Sequence, residues 1–418
     1  MKIISDLHIH SRFSRACSKQ INISNLEKYA KIKGLGLMGT GDFQHPEWQK
    51  ELKKELIDDG TGIAKTKTGY SFVYSTEVSL IYTDGKGRRI HLVALAPDMD
   101  TVEQITDALG KRGRLDYDGR PIFKIPCPEF IEMMHGINKD IEVIPAHIWT
   151  PWFGLFGSMS GFDSIIEAFK DKAKHIHAIE TGLSSDPPMN WRLSQLENRQ
   201  ILSFSDSHSF WPWRIGREAT VLDLKKLSYS NLLKAIRTGE GIVETLEFFP
   251  EEGKYHYDGH RNCNVCISPQ EAAKVNNICP VCKKPLTIGV LHRVEELADK
   301  PEGFKPKNAK PFRHLIPLSE LISAGVGTGI ATQKVWQVYN ELIKEFDNET
   351  AIVLDADEAK MRKIVPDKVV DLILRNRKQK IEFQPGYDGE YGKPIFDNKP
   401  VEKKMIKPAQ KGLNDFVK

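Results

Sequence analysis

The chain has 418 residues, a length that predicts about two to four folding units rather than one small domain. Its 40% hydrophobic and 28% charged residues are typical of a globular protein, and its net charge of +4 is too small to identify a nucleic-acid partner by itself. The sequence shows neither the ~20 consecutive apolar residues that span a bilayer nor a secretory signal. We therefore expect a cytoplasmic protein without membrane contact, and a monomer.

Residues 1–245 contain short apolar runs that alternate with amphipathic stretches, which is the pattern of strands joined by helices around a parallel sheet or barrel. Helices are predicted at residues 25–33 and 231–238. The predicted strands cover residues 3–7, 35–38, 72–74, 91–94, 142–144, 178–180 and 201–205. Seven strands favour an α/β fold in which the first domain, residues 1–245, is a barrel.

A segment rich in paired cysteines follows a Pro- and Gly-containing linker, and we assign it to a zinc-binding domain at residues 255–295. Two Cys-x-x-Cys pairs supply four thiolates, enough for one structural zinc ion in tetrahedral geometry. The predicted ligands are Cys263, Cys266, Cys279 and Cys282. The remaining cysteines, Cys17 and Cys127, are interpreted as buried thiols without a metal.

The last part of the chain is predicted to be a C-terminal helical domain at residues 296–400, followed by a flexible polar tail at residues 401–418. Helices are predicted at residues 318–324 and 333–346, the second with one apolar face.

His8 and His10 follow the first predicted strand, where alternate side chains project to the same face. Alone, a His-x-His pair is equally consistent with ordinary local hydrogen bonding. Further imidazoles and carboxylates stand near the ends of later strands, and the strand ends of a barrel meet at one face. These residues are Asp42, His45, Glu77, His91, His147, Asp206 and His208. We expect the set to surround one pocket, although for Asp42 and His45 taken singly an ordinary polar role stays open.

Nine candidate ligands exceed the needs of one ion, so the sequence predicts two or three divalent metals, Zn, Mn or Mg. Ions ~4 Å apart can stabilise both the attacking and the leaving oxygen of a phosphoryl displacement, and can lower the pKa of a bound water. The pattern therefore indicates a metal-dependent phosphoesterase. The residues predicted to be catalytic are His8, His10, Glu77, His147, Asp206 and His208.

The order of these ligands resembles the polymerase-and-histidinol-phosphatase (PHP) superfamily over residues 1–245. This resemblance implies a PHP-type (β/α)7 barrel. It also implies one metal held by His8, His10, Glu77 and Asp206, a second held by Glu77, His91 and His147, and a third near Asp42, His45 and His208. The third set departs from the superfamily pattern because Phe43 follows Asp42 and His45 is displaced.

Nearly the whole chain resembles the endonuclease Q family of DNA repair enzymes. The stretches that carry the resemblance are residues 14–19, 39–48, 145–154, 205–212 and 385–389. It implies hydrolysis of the phosphodiester on the 5′ side of uracil, hypoxanthine, xanthine or an abasic site. Damaged DNA is then the expected substrate and partner.

An enzyme that inspects a base must unstack it, and aromatic wedges and exposed backbone amides suit that task. The run after His147 supplies rings and glycines, and cations near the metal motifs can contact phosphates. The predicted lesion- or DNA-binding residues are Trp149, Trp152, Phe153, Gly154, Phe156, Gly157, Thr181, Ser184, Arg15 and Lys19. Ordinary core packing is an equally weighted interpretation of the aromatic residues.

The C-terminal tail contains Gln410, Leu413, Phe416 and Val417, in the Gln-x-x-aliphatic-x-x-aromatic pattern of peptides that bind the sliding clamp. One helical turn would place Leu413 and Phe416 in a hydrophobic pocket, although Val417 replaces the usual second aromatic residue. We therefore predict the sliding clamp (PCNA) as a second partner.

Two other functions stay open: a phosphomonoesterase of a small metabolite, and a DNA-binding adaptor without catalytic activity. The cysteine segment and the clamp motif favour a DNA enzyme over a metabolite phosphatase. The nearly complete ligand set disfavours the adaptor.

Overall fold

The structure, a computed structural model, describes residues 1–396. Its strands are β1 (Lys2–Asp6), β2 (Leu37–Gly39), β3 (Leu56–Ile57), β4 (Ala64–Thr66), β5 (Ser71–Asp84), β6 (Lys86–Ala96), β7 (Ile122–Phe123), β8 (Glu142–Pro145), β9 (Ala178–Glu180), β10 (Gln200–Leu202), β11 (Ala219–Asp223), β12 (Ile242–Glu247), β13 (Asp258–His260), β14 (Val265–Ile267), β15 (Phe312–His314), β16 (Glu382–Gln384) and β17 (Lys393–Ile395). Its α-helices are α1 (Ile23–Lys33), α2 (Pro46–Glu55), α3 (Met99–Gly110), α4 (Cys127–Ile137), α5 (Ile165–Phe169), α6 (Pro187–Trp191), α7 (Tyr229–Thr238), α8 (Pro269–Lys274), α9 (Val290–Leu297), α10 (Leu318–Val326), α11 (Gln333–Phe346), α12 (Glu349–Leu354), α13 (Glu358–Arg362) and α14 (Asp367–Arg377).

The largest sheet of the described residues has 11 strands and is mixed. Its path runs β15-β12-β11-β1-β2-β5-β4-β3, with β6, β7 and β8 joined through β5 and β6. Strand β2 is parallel to both β1 and β5, whereas β11 is antiparallel to β1. The α/β class predicted from the sequence is confirmed, but the sheet combines parallel and antiparallel pairs.

Strands β5 and β6 form an antiparallel hairpin that is much longer than the short strands predicted at residues 72–74 and 91–94. Gly85 makes its turn with a φ of 68°, a left-handed conformation that glycine adopts without a Cβ clash. The hairpin places Glu77 of β5 and His91 of β6 on neighbouring strands, which is the basis of one metal-ligand group described below.

Strands β9 and β10 pair in parallel and lie beside the residues that follow β8. The backbone N–H of Ile148 donates to the carbonyl of Glu180 at 3.2 Å, and the N–H of Thr181 donates to the carbonyl of Leu202 at 3.0 Å. The C-terminal end of β9 is thereby held between its two neighbours. Both strands were predicted, although β10 is shorter than expected.

Local capping explains the two helices predicted in the first part of the chain. The Asn22 side chain accepts a hydrogen bond at the start of α1, and Gly34 ends this helix in the left-handed conformation. Ser228 and Gly239 have the same roles in α7. Each helix therefore has a side-chain cap at its N-terminus and a left-handed glycine at its C-terminus.

The C-terminal segment is mostly helical, as predicted, and α10 and α11 match the two expected helices. It also contributes β15, which pairs in parallel with β12 and so extends the main sheet. Lys33 of α1 connects the two regions, because its buried Nζ lies 2.7 Å from Oε1 of Glu349. The hydroxyl of Thr350 donates to the Lys33 carbonyl at 2.6 Å. Among the described helices, none has the length and apolar character needed to cross a membrane.

Candidate metal centre

The two histidines of the His-x-His pair are buried directly after β1. A bridge between Ile9 and Ser207, with the N–H of His10 donating to the Ser207 carbonyl at 2.9 Å, brings this segment alongside residues 206–208. Residues nearly two hundred positions apart in sequence therefore share one pocket.

Four ligand atoms converge in a first group formed by His8, His10, Glu77 and Asp206, all within 4.8 Å of one another. Nε2 of His10 lies 3.1 Å from Oδ1 of Asp206 and 3.2 Å from Oε2 of Glu77. Nε2 of His8 is buried and makes no hydrogen bond within the described residues. A buried polar nitrogen without a partner is costly, so its orientation toward this group fits a cation between the four side chains.

A second group consists of Glu77, His91 and His147, again with ligand atoms within 4.8 Å of one another. Oε1 of Glu77 lies 2.8 Å from Nδ1 of His91 and 3.1 Å from Nε2 of His147. The two oxygens of Glu77 thus face different groups, Oε2 the first and Oε1 the second. This is the arrangement in which one carboxylate bridges two ions.

Two further carboxylates orient the histidines from behind. Glu180 places both carboxylate oxygens 3.0 Å from Nδ1 of His8 and also accepts the backbone N–H of His147 at 3.0 Å. Oδ1 of Asp42 lies 3.0 Å from Nδ1 of His10. A carboxylate on the far nitrogen of a ligating imidazole fixes the tautomer and turns the lone pair of the other nitrogen toward the metal.

The sequence reasoning missed Glu180, although its position at the end of a predicted buried strand was a usable signal. It also missed Arg120, whose Nη1 lies 3.0 Å from Oε2 of Glu77 and whose side chain is 25% exposed. This guanidinium is a permanent positive charge at the open side of the centre.

The residues assigned to a third metal do not form a ligand group in the described part of the chain. Asp42 is engaged with His10, with the N–H of Ser11 at 2.6 Å and with the hydroxyl of Ser14 at 2.9 Å. His45 stacks on the ring of Phe13 at 4.2 Å, and its buried Nδ1 has no partner. His45 therefore packs against Phe13 and does not join a ligand group with Asp42 and His208 within the described residues.

His208 lies at the mouth of the pocket. Its side chain is 31% exposed, and its ring centroid is 4.5 Å from that of His10. Burial, followed by the charge of His10, lowers the pKa of His208. The location suits a proton donor or acceptor that reaches a substrate from the solvent side.

Electrostatics keep the central carboxylate ionised. Burial alone would raise the pKa of Glu77, but His91, Arg120 and His8 outweigh it and hold this pKa well below the ordinary value. Burial lowers the pKa of His91 to about 4, so its imidazole is neutral and free to donate a lone pair. Burial opposes charge on His8 as well, yet Glu180 and Glu77 raise the pKa of His8 well above 6.5.

Three of the residues around the pocket have left-handed backbone conformations, which are uncommon outside glycine. The φ angles of Asp42, His147 and Asp206 are 44°, 30° and 47°. Such strain of order 1–3 kcal/mol per residue persists where the surrounding structure fixes the position of a functional side chain.

Comparison with known proteins identifies the family. The crystal structure of the lesion-specific endonuclease PfuEndoQ from Pyrococcus furiosus superposes with a TM-score of 0.85 and 31% identity over 94% of this chain and 95% of that one. The chain belongs to the endonuclease Q family. An endonuclease Q complex with a 27-mer duplex that has an abasic lesion at the active site matches equally well, with a TM-score of 0.85, 31% identity and coverage of 95% of this chain and 97% of the other.

Two further proteins are similar to this chain in sequence. YqxK from Bacillus subtilis is 29% identical over 412 residues, which is 94% of this chain and 99% of YqxK. MJ0043 from Methanocaldococcus jannaschii is 37% identical over 260 residues, which is 61% of this chain but only 32% of MJ0043. The family described as MJ0043 C-terminal domain matches residues 317–380, which contain α10 to α14.

The aromatic residues predicted to contact DNA fall into two classes in this endonuclease Q fold. Trp149 and Phe156 are 1% and 0% exposed, and Nε1 of Trp149 donates to Asn190 at 2.8 Å. These two rings are core residues, which corrects their assignment to the lesion surface. The turn after His147 folds back on itself and buries the first and the last of its four rings, which the spacing alone did not reveal.

Trp152 and Phe153 are partly exposed beside the centre. The ring of Phe153 lies 4.4 Å from the ring of His91. The backbone carbonyl of Phe153 accepts the backbone N–H of His91 at 2.9 Å. Trp152 meets Tyr255 edge to face at 5.6 Å. Phe153 has a φ of 72°, so this loop holds its ring in a strained position next to a candidate ligand.

The nearby glycines allow close backbone packing. A Cβ on Gly154 would lie 2.6 Å from the carbonyl oxygen of Thr150, and Gly157 approaches the same carbonyl. Both positions are therefore explained by the tight turn itself.

The remaining predicted DNA contacts differ in accessibility. Thr181 is fully buried and donates to Oε2 of Glu247 at 3.0 Å, and Ser184 is also buried. Arg15 and Lys19 are exposed; Nε of Arg15 lies 3.2 Å from Asp118. The two cations are available at the surface, whereas Thr181 points away from it.

The cysteine segment forms a separate candidate metal site that differs from the prediction at one ligand. His260, Cys263, Cys279 and Cys282 bring their ligand atoms within 4.8 Å of one another, and Cys282 Sγ lies 3.3 Å from Nδ1 of His260. Cys266 instead lies 3.8 Å from the carbonyl oxygen of Pro385.

The register of the β13–β14 hairpin explains this exchange. His260 pairs with Val265, while Cys266 pairs with Gly259. Neighbouring residues of a strand point to opposite faces, so Cys266 lies on the other face of the ribbon from His260. Three cysteines and one histidine are a common donor set for structural zinc.

Proposed function

We propose that this protein is a metal-dependent DNA repair endonuclease that hydrolyses the phosphodiester on the 5′ side of a deaminated base (uracil, hypoxanthine or xanthine) or of an abasic site. The observation that carries this proposal is the pair of ligand groups sharing Glu77, inside a fold similar over nearly its whole length to a lesion-specific endonuclease. The related complex with a duplex carrying an abasic lesion supports the same class of substrate.

The donor set fits two divalent ions of Zn, Mn or Mg. His8, His10, Glu77 and Asp206 would hold one ion, and Glu77, His91 and His147 the other. When bound, the ions lower the pKa of a water and neutralise charge that develops on the phosphoryl oxygens. The three cysteines and His260 would hold one structural zinc ion.

The side chains of this chain then have distinct tasks. Glu180 and Asp42 hold the Nδ1 atoms of His8 and His10, so that both Nε2 atoms face the centre. Arg120, at the open side, binds a phosphate oxygen. His208, at the mouth and with a lowered pKa, is placed to accept a proton from the attacking water.

We also propose that residues 1–245 form the seven-stranded PHP barrel that the ligand order implies, with 255–295 and 296–400 as its appended domains. The backbone hydrogen bonds that join β9 to residues after β8 and to the end of β10 support this arrangement.

The deciding experiment uses end-labelled duplexes that differ only by one uracil or hypoxanthine, incubated with the protein and Mg²⁺, Mn²⁺ or Zn²⁺. Incision only beside the lesion is expected, and it should disappear in the His8→Ala and Asp206→Ala variants. Equal inertness toward both duplexes together with turnover of a small phosphate ester would instead indicate a phosphomonoesterase. Incision that survives both substitutions would contradict the assigned centre.

The clamp-binding residues Gln410, Leu413, Phe416 and Val417 lie outside the described residues. Their sequence pattern supports a proposal that the tail recruits the enzyme to the sliding clamp (PCNA).

A further inference from the structure

Four partly exposed aromatic side chains form a continuous surface cluster, which we call the tryptophan platform: Tyr29, Trp211, Trp213 and Trp336. The indoles of Trp211 and Trp213 are stacked at 5.1 Å with an interplanar angle of 11°. Trp213 lies 5.2 Å from Trp336, and Trp211 lies 5.1 Å from Tyr29. Three of the seven tryptophans of the chain are thus collected at one place, and the metal centre uses none of them.

The platform is held rigidly by its backbone. Pro212 lies between Trp211 and Trp213 in the sequence, and its backbone carbonyl accepts a hydrogen bond from the buried Nζ of Lys33 at 2.8 Å. The N–H of Arg214 donates to the carbonyl of Trp211 at 2.8 Å and closes the turn. Beneath it, the buried ring of Phe210 stacks on Trp211 at 5.0 Å. Rings fixed in this way bind a flat ligand without losing much side-chain entropy.

The chain connects the platform directly to the metal centre. Trp211 follows His208 by three residues, so their Cα atoms are at most about 11 Å apart. This distance is about the length of three base-pair steps of DNA. A DNA strand bound at the centre would therefore have these rings within reach of nucleotides a few positions from the scissile phosphate.

The surroundings of the platform favour a polyanion. Lys28 and Arg214, each next in sequence to a platform residue, are exposed, and Nζ of Lys28 lies 5.2 Å from the Tyr29 ring centroid. Arg214, Arg217 and Lys33 all act on the carboxyl of Glu320 and oppose the rise in its pKa that burial causes. Aromatic rings with cations at their edge are the combination by which proteins hold unpaired nucleotides, because every base has a π face and every linkage a phosphate.

We propose that the tryptophan platform binds unstacked bases of the DNA strand next to the scissile phosphate. This proposal rests on the proposed endonuclease function, in which the duplex must be opened locally at the lesion. The platform holds the strand that the lesion has released from the helix, and therefore determines substrate affinity more than the rate of hydrolysis.

The first test uses the unaltered protein and does not depend on incision. Lesion duplexes that carry 5-iodouracil at single positions within about three nucleotides of the lesion are irradiated with the protein, and the cross-linked peptides are identified by mass spectrometry. Cross-links to Trp211, Trp213 or Trp336 are expected. Their absence at every position, with cross-links elsewhere on the protein, would overturn the proposal.

The second test separates binding from hydrolysis under single-turnover conditions. Trp213→Ala and Trp336→Ala should each raise the half-saturating protein concentration about 5- to 20-fold, and leave the saturating incision rate within about threefold. The corresponding Trp→Phe variants keep an aromatic ring and should recover much of the affinity. The thermal unfolding temperature of each variant, compared with that of the unaltered protein, shows whether its packing is intact.

Trp191→Ala is the matched control. Trp191 resembles the platform residues because it is partly exposed and the Nζ of Lys305 lies 5.8 Å from its ring. It lines a different cavity, together with Gln200, and Gln200 begins β10 at the end of that strand opposite to the metal centre. Unchanged half-saturation in the Trp213 and Trp336 variants, with normal incision by the unaltered protein, would refute the platform as a DNA site and leave it as a domain contact or a protein-binding surface. If the unaltered protein does not incise lesion duplexes at all, that result would refute the proposed function instead, whatever the cross-links show.

Discussion

Glu180→Gln tests the metal centre through a residue that touches no metal. Glu180 is fully buried, places both oxygens 3.0 Å from Nδ1 of His8, and accepts the N–H of His147 at 3.0 Å. Glutamine keeps the volume but removes the charge that makes the imidazole a strong donor. Loss of such an outer carboxylate weakens metal binding about 10- to 100-fold, or about 1.4 to 2.8 kcal/mol.

The assay is incision of a lesion duplex as a function of Mn²⁺ concentration. The half-saturating concentration should rise about 10- to 100-fold, and the rate at saturating metal should be largely recovered. Glu142→Gln is the matched control, because Glu142 is also buried and holds Nδ1 of His177 at 2.9 Å and Nε of Arg237 at 2.7 Å. An unchanged metal dependence in Glu180→Gln, or an equal shift in Glu142→Gln, would refute the role of Glu180.

Three further predictions concern other parts of the molecule. His260→Ala should release zinc from the cysteine site, measured by a colorimetric chelator, whereas Cys266→Ser should retain it; the reverse result would restore a four-cysteine site. Burial raises the pKa of Glu247 from 4.5 to about 7, so folding stability should fall as pH rises from 4.5 to 7, by up to about 3 kcal/mol. Glu247→Gln should flatten this dependence in thermal unfolding at pH 5 and pH 8, and an unchanged slope would contradict it. Deleting residues 409–418 should weaken clamp binding in a pull-down and leave clamp-free incision intact; lost basal activity would refute a separable tail.

The residues of the two candidate ligand groups could be singled out because their sequence signal is local. His8 and His10 are two positions apart just after β1, and Asp206 follows a predicted strand, so short sequence patterns indicated them. Glu180 was missed because an outer carboxylate has no fixed spacing from the histidine it orients. Its partner lies 172 residues away, and only the neighbouring positions of the strands bring the two together.

The errors have a common physical origin in chain geometry that spacing does not specify. Cys266 has the right spacing for zinc, but the hairpin register places it on the opposite face from His260, and His260 is the fourth member of the ligand group. Trp149 follows a candidate ligand, yet the turn after His147 packs it into the core. Register and turn conformation, rather than composition, decided these positions.

The charges of the centre explain why metals and substrate belong together there. Four buried or half-buried carboxylates surround the centre, and Arg120 is the guanidinium that pairs directly with one of them. Counting these five groups alone leaves roughly three negative charges if the histidines are neutral; the carboxylates are Asp42, Glu77, Glu180 and Asp206. Such a site repels a phosphodiester. Two divalent ions would reverse its sign to roughly one positive charge, which matches the single negative charge of the linkage to be hydrolysed. Arg120 adds to this attraction, because its guanidinium contributes one positive charge beside Glu77.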